Sequence, residues 1–143
     1  VRHAALVIDK RRAGGLVSDP IDSVRTTEQV IGAAIEVHRT LGPGLLESVY
    51  EACLVWELGA RGLPVERQVA VPVQYKGVAL DCGYRVDLVV DGRVVIEVKS
   101  IRAFDPIHTA QLLTYLRLLG FRTGLLLNFG APLLRDGVKR VVI

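Results

Sequence analysis

Cysteine is scarce in this chain. Cys53 and Cys82 are the only two, too few for a disulfide scaffold. Long apolar runs are missing as well: the longest stretch without a charged residue, Thr123 to Leu134, has twelve residues and contains Gly124, Gly130 and Pro132. A membrane-spanning helix needs about 18 or more apolar residues, so none is expected. No charge of one sign dominates either. Residues 1–25 hold five basic and three acidic residues, and residues 26–143 hold 13 basic and 12 acidic ones. The overall charge of +3 therefore leaves the body of the chain nearly neutral, and charge alone names no partner. There is no internal repeat and no low-complexity segment. What remains is 143 residues, half of them apolar and 23% charged, the balance of one globular domain with a real core.

Nothing periodic runs through residues 1–25. Their only apolar run, Ala4 to Ile8, has five residues, against about 7–15 in a signal-peptide core. Gly14, Gly15, Ser18, Asp19 and Pro20 read as loop, and Lys10-Arg11-Arg12 as a solvated cluster. The expectation is a flexible tail over 1–25 and a single domain over 26–143. With no export signal and unpaired cysteines, a cytoplasmic location is expected.

Thr26-Thr27-Glu28-Gln29 has the spacing of a capping box, and Val30, Ala34, Val37 and Leu41 follow at helical intervals. A second helix is expected from about Leu45 to Arg61, with Val49, Ala52, Cys53 and Trp56 on its apolar side and Glu51 and Glu57 toward solvent. Gly62 and Pro64 end it. Val65 to Val73 reads as a strand that Pro72 bends, and Tyr75-Lys76-Gly77-Val78 as a tight turn. Tyr84 to Val90 and Val94 to Ser100 form a hairpin around Asp91-Gly92. Pro106 opens a helix reaching about Leu119, Thr123 to Asn128 reads as a buried strand, and Lys139 to Ile143 as a last short one. The order α-α-β-β-β-β-α-β-β gives an α/β or α+β sandwich with a mixed sheet.

Three residues break the apolar logic of the central strands: Asp87, Glu97 and Lys99. Buried acids are costly without a partner or a metal. Glu97 and Lys99 are two apart and leave one face of their strand. Two carboxylates and an ammonium brought together suit a hard cation with a charged helper. A solvated strand face with a cross-strand ion pair is the alternative that spacing alone leaves open. On the following helix, His108, Gln111 and Tyr115 form one polar stripe beside Leu112, Leu113, Leu116 and Leu119. Glu47 falls in the first turn of the second helix, where the helix dipole favours an acid by roughly 0.3–1 kcal/mol. His38, Cys53, Cys82 and His108 lack zinc-ligand spacing, and Trp56 and Phe121 read as core.

Gly44-Leu45-Leu46-Glu47-Ser48-Val49-Tyr50 spells Gly-x-x-Glu-x-x-Tyr. With Asp87, Glu97-Val98-Lys99 and Gln111-x-x-x-Tyr115, the chain resembles the GxxExxY family of the PD-(D/E)xK nuclease superfamily over about Thr26 to Ile143. The proline that often precedes the first acid is replaced by Val86, which is not a ligand position. The resemblance implies a restriction-endonuclease-like core, a mixed central sheet flanked by helices. It implies Mg²⁺ or Mn²⁺ held by Asp87, Glu97 and the backbone carbonyl of Val98, with Glu47 reaching the ion directly or through water. Lys99 would position and activate the attacking water. Gln111 and Tyr115 would orient the scissile phosphate or Lys99, and His108, one turn earlier, is a candidate substrate contact. The activity implied is metal-dependent hydrolysis of nucleic acid, DNA ahead of RNA. No membrane partner is expected, and a homodimer is expected only if the substrate is two-fold symmetric DNA. A non-cutting binding module for nucleic acid or protein on the same fold, and a hydrolase of small phosphoesters, stay open as alternatives.

The hairpin sets a geometric condition. A two-residue Asp91-Gly92 turn would put Asp87 opposite Ile96 and send Glu97 and Lys99 to the other face. The acids share a face only if the connection has an odd number of residues or a bulge intervenes. The expectation is a three-residue loop, Val90-Asp91-Gly92, with Gly92 at positive φ, Val89 facing Arg93 and Asp87 facing Val95.

Overall fold

The computed structural model describes residues 20–143. Most of the expected tail therefore lies outside the described residues. Its last part does not: helix α1 runs from Pro20 to Leu41, so residues 20–25 are helical. The first helical turn carries Pro20, which needs no N–H partner there, and Asp22, which suits the dipole. Thr26 and Thr27 thus lie within the helix rather than capping it. Thr27 instead donates its hydroxyl to the Ser23 carbonyl at 2.7 Å, the bond a mid-helix threonine uses to satisfy itself.

Helix α2 spans Glu47–Ala60 and is followed by β1 (Val65–Ala70). Pro72 ends β1 before Val73, and a separate two-stranded ribbon follows, β2 (Val73–Tyr75) and β3 (Val78–Leu80). Lys76 and Gly77, both at positive φ, make the tight turn between them. Strands β4 (Arg85–Val90) and β5 (Val94–Lys99) form the central hairpin. Helix α3 (Pro106–Leu119) crosses over to β6 (Thr123–Asn128), and a short 3₁₀ turn, Leu134–Gly137, leads into β7 (Val138–Val142).

The main sheet has the order β1-β4-β5-β6-β7. Only β5 and β6 are parallel, and the α3 crossover is what permits that pairing. β6 is buried at all six positions, which explains its unbroken apolar run. Helices cover both faces. α1 and α2 pack on Leu88, Val90, Ile96, Val98, Leu125 and Leu127. α3 packs with Leu112, Leu116 and Leu119 against Val89, Val95 and Leu126. This is a mixed α+β fold, a five-stranded mixed sheet flanked by helices, as expected.

Several side chains differ from expectation. Trp56 is 72% exposed instead of core, because α2 turns Tyr50, Leu54 and Leu58 inward. Val49 and Ala52 are exposed by the same rotation, and Cys53 is half-buried at the core's margin. Glu51, expected toward solvent, is buried because β1 offers it Arg67 and Gln68. Phe121 is in the core as expected.

Candidate functional site

The β4–β5 hairpin decides whether the acids meet. Its partners are Leu88 with Ile96, Val89 with Val95 and Val90 with Val94. The connection is thus Asp91-Gly92-Arg93, odd-numbered as required but displaced one residue from the expected loop. Asp91 and Gly92 have φ of 55° and 60°, and Arg93 N–H donates to the Val90 carbonyl at 3.0 Å. Two positive φ values in succession close the turn one residue later than a loop with Gly92 alone left-handed. Arg93 becomes the odd residue, anchored by ion pairs to Asp91 at 2.7 Å and Asp22 at 3.6 Å. Continuing the register places Asp87 opposite Glu97, on the α3 face.

The ladder itself stops short of that pair. The Val98 N–H is instead taken by Asp87 Oδ2 at 2.7 Å. A side chain here replaces the backbone acceptor that a continued β4 would supply, and the two strands part around the carboxylate. On its other side Asp87 Oδ1 accepts from Gln68 Nε2 at 3.2 Å.

Glu97 is buried, at 8% exposure, and among the described residues its Oε2 has no hydrogen-bond partner. Burial is the first reason its pKa is pushed up to about 9. The charge of Asp87, a hydrogen bond that only protonated Glu97 can donate to Asp87, and the charge of Glu47 push the same way; Lys99 opposes them. Glu97 and Lys99 open onto a cleft of about 160 Å³ that is also lined by Arg85, His108, Gln111, Leu112, Tyr115 and Leu126. The polar stripe of α3 therefore faces the two strand residues, one side of the cleft each. Burial, then the charges of Glu97 and Tyr84, raises the Tyr115 pKa, so this phenol is a neutral hydrogen-bond donor at physiological pH. Tyr84 lies 5.9 Å from the Tyr115 ring at the same place.

His108 has a structural task as well. Its Nδ1 accepts from the Asp105 N–H at 2.9 Å, and the Asp105 side chain accepts from Ile107 N–H at 3.1 Å, a reciprocal cap for α3. With Nδ1 engaged, Nε2 is the ring nitrogen that can serve the cleft.

Glu47 stands apart from the Asp87–Glu97 pair. It opens α2, and its Oε2 accepts from the Ser100 N–H at 3.2 Å, one residue beyond Lys99. Ser100 Oγ also donates to the Leu45 carbonyl at 2.8 Å. Tyr50 braces the same loop. Its hydroxyl donates to the Gly42 carbonyl and accepts from Leu45 N–H, while its buried ring stacks on Phe129 with centroids 4.6 Å apart. The Gly-x-x-Glu-x-x-Tyr segment is thus a pinned loop and helix start that brings one acid to the end of β5. Among the described residues, no three His, Cys, Asp or Glu side chains gather closely enough to hold an ion by themselves.

Sequence reasoning missed Arg85, which lines the cleft, and the pair Glu51 and Gln68 behind Asp87. Arg85 had a signal, a charge at the head of the strand that carries Asp87. It also missed Asn128, whose amide bonds Ile101 N–H at 2.9 Å, the Ile101 carbonyl at 2.9 Å and Gly130 N–H at 2.9 Å. That clamp fixes the chain just after Lys99. Gly130 is required beside it, because a Cβ there would lie 2.4 Å from the Ile101 carbonyl oxygen.

A family profile described as the PD-(D/E)XK nuclease superfamily matches residues 24–141. No curated protein and no solved structure matches the chain. Among the described residues, no helix is long and apolar enough to cross a membrane.

Proposed function

Because the chain belongs to the PD-(D/E)XK nuclease superfamily, we propose that it is a divalent-cation-dependent nuclease that hydrolyses phosphodiester bonds of DNA in preference to RNA. The observation that carries this is the buried Glu97 carboxyl. Its Oε2 has no partner, and it is pressed against a second acid on the same face. With both acids ionised the pair is costly, because half-buried Asp87 and buried Glu97 repel and Glu97 loses hydration. A cation between them would offset both costs.

The residues fit a Mg²⁺ or Mn²⁺ ion. Asp87 and Glu97 are hard oxygen donors, and Val98 would add its backbone carbonyl. Two carboxylates suffice for Mg²⁺, which usually keeps several of its waters. Glu47, held by Ser100, would act through such a water and through its charge. When bound, the ion would neutralise charge on the phosphate and lower the pKa of a coordinated water.

The chain's own groups have distinct tasks. Lys99 leaves the same strand face as Glu97 and would orient the attacking water and oppose charge on the phosphate. Gln111 and Tyr115 line the cleft from α3 and would donate to the scissile phosphate and fix it, with Arg85 and His108 Nε2 at its margins. Assignment to the GxxExxY branch follows the segment from Gly44 to Tyr50 together with Asp87, Glu97-Val98-Lys99 and Gln111-x-x-x-Tyr115, and the choice of DNA follows that resemblance.

The test is incubation with labelled single-stranded, duplex and branched DNA and with RNA, in Mg²⁺, Mn²⁺ or EDTA. Cleavage of DNA that EDTA abolishes is the expected result. Binding without cleavage under every condition would move the protein to the non-cutting alternative.

A further inference from the structure

Gln68 sits opposite Asp87, at the one gap in the β1–β4 ladder between the pairs Arg67–Leu88 and Val69–Val86, and three features single it out. First, its φ is 49°. Among the described residues, the other non-glycine residues with positive φ, Lys76 and Asp91, lie in turns, whereas Gln68 lies inside a strand. Left-handed backbone favours glycine or asparagine, so glutamine holds this conformation against its own preference. Second, its Nε2 reaches Asp87 Oδ1 at 3.2 Å and both oxygens of Glu51, at 3.1 and 3.2 Å. An amide oxygen turned toward two carboxylates would be repelled, so the partners themselves fix which way the amide faces. Third, Glu51 is an acid held at 7% exposure, with Arg67 Nε 3.3 Å away on its other side.

These contacts form a short relay, Arg67 and Glu51 to Gln68 to Asp87. Its end point is one oxygen of Asp87, whose other oxygen is held by Val98 N–H at 2.7 Å. The plane of the carboxylate is then fixed from two strands. An amide does this without adding positive charge, so the negative field that attracts a cation is kept. An Arg or Lys in its place would orient Asp87 and cancel that field together.

We infer that Gln68, aimed by the buried Glu51, is the positioning residue that orients Asp87 for divalent-cation binding. The inference rests on the nuclease reading above and extends it to residues outside the cleft.

The test uses Gln68→Gly and Gln68→Asn. Glycine relieves the left-handed backbone and removes the amide. Asparagine tolerates that backbone but is one methylene short of the two acids. Melting is followed in EDTA, and Mn²⁺ affinity by calorimetry. Both variants are expected to melt at or above the wild type, yet to bind Mn²⁺ about 10–100-fold more weakly, the scale of a lost outer-shell partner. In cleavage, kcat should fall while KM for an oligonucleotide holds. Glu51→Gln, which keeps one acceptor oxygen for the amide, should lose less. Unchanged Mn²⁺ affinity in a folded Gln68→Gly overturns the inference alone. So does affinity that falls only in step with melting temperature in both variants, because that is the mark of a structural role. A wild type that binds no Mn²⁺ overturns the nuclease reading and this inference with it.

Discussion

In the proposed function, Glu97 concentrates the chemistry of the molecule in one side chain. Its ordinary pKa of 4.5 is pushed up to about 9, chiefly by burial. The unfolded chain therefore gives up this proton first as the pH rises. The stabilising contribution is fully present below about pH 4.5 and is lost as the pH approaches about 9. The slope is at most about 1.4 kcal/mol per pH unit for one proton. Melting in EDTA should accordingly fall between about pH 5.5 and about pH 8.5 more steeply for the wild type than for Glu97→Gln. Parallel curves would contradict the buried, protonated state. Lys99 makes a separate prediction. Lys99→Ala should bind Mn²⁺ and DNA near normally and lose hydrolysis by roughly 10²-fold or more. Undiminished cleavage would remove it from the mechanism. Both residues were legible in the sequence as charges interrupting an apolar strand. Glu51 was not, because its burial depends on Gln68 and Arg67, partners from a strand that only tertiary folding brings beside α2.

Elements decide whether those residues meet. The β4–β5 connection had to be odd-numbered for Asp87 and Glu97 to share a face, and that condition follows from strand parity alone. Which three residues form it depends on Asp91 also taking positive φ, helped by its ion pair with Arg93. Gly92 has φ of 60° with open space around its Cα, so Gly92→Ala should cost about 1–2 kcal/mol of left-handed strain without touching the site. Chemical denaturation checks the cost, and Mn²⁺ affinity should not change. At the start of α2, Glu47→Gln separates two roles. Loss of the dipole contact should cost under about 1 kcal/mol, while cleavage should be abolished. Melting and turnover on the one variant give both numbers, and intact turnover would return Glu47 to a purely structural role. Helix α3 was legible from Pro106 to Gly120. The rotation of α2 was not: Val49, Cys53 and Trp56 form one apolar stripe and Tyr50, Leu54 and Leu58 an adjoining one. Packing on Phe129 and β4–β6 selects the second.

For the molecule as a whole, the fold follows from a sheet with helices on both faces, and the proposed function rests on one interruption in its ladder. Two apolar clusters, one under α1 and α2 and one under α3, keep β4 and β5 rigid on either side of Asp87 and Glu97. The body of the chain is nearly neutral, so long-range attraction contributes little and the site must act through short contacts. Element order and the position of the acids could be read from the sequence. The gap in the β1–β4 ladder and the parting of β4 and β5 at Asp87 could not, because they depend on the Val98 N–H and the Gln68 amide meeting one carboxylate. The central claim is that this parting builds a divalent-cation site. Its most direct test is a calorimetric titration of Mn²⁺ into the wild type and into Asp87→Asn near neutral pH. The account predicts one binding event in the wild type, accompanied by release of about one proton from Glu97, and a large loss of affinity in Asp87→Asn. Equal affinity in the two proteins would contradict it.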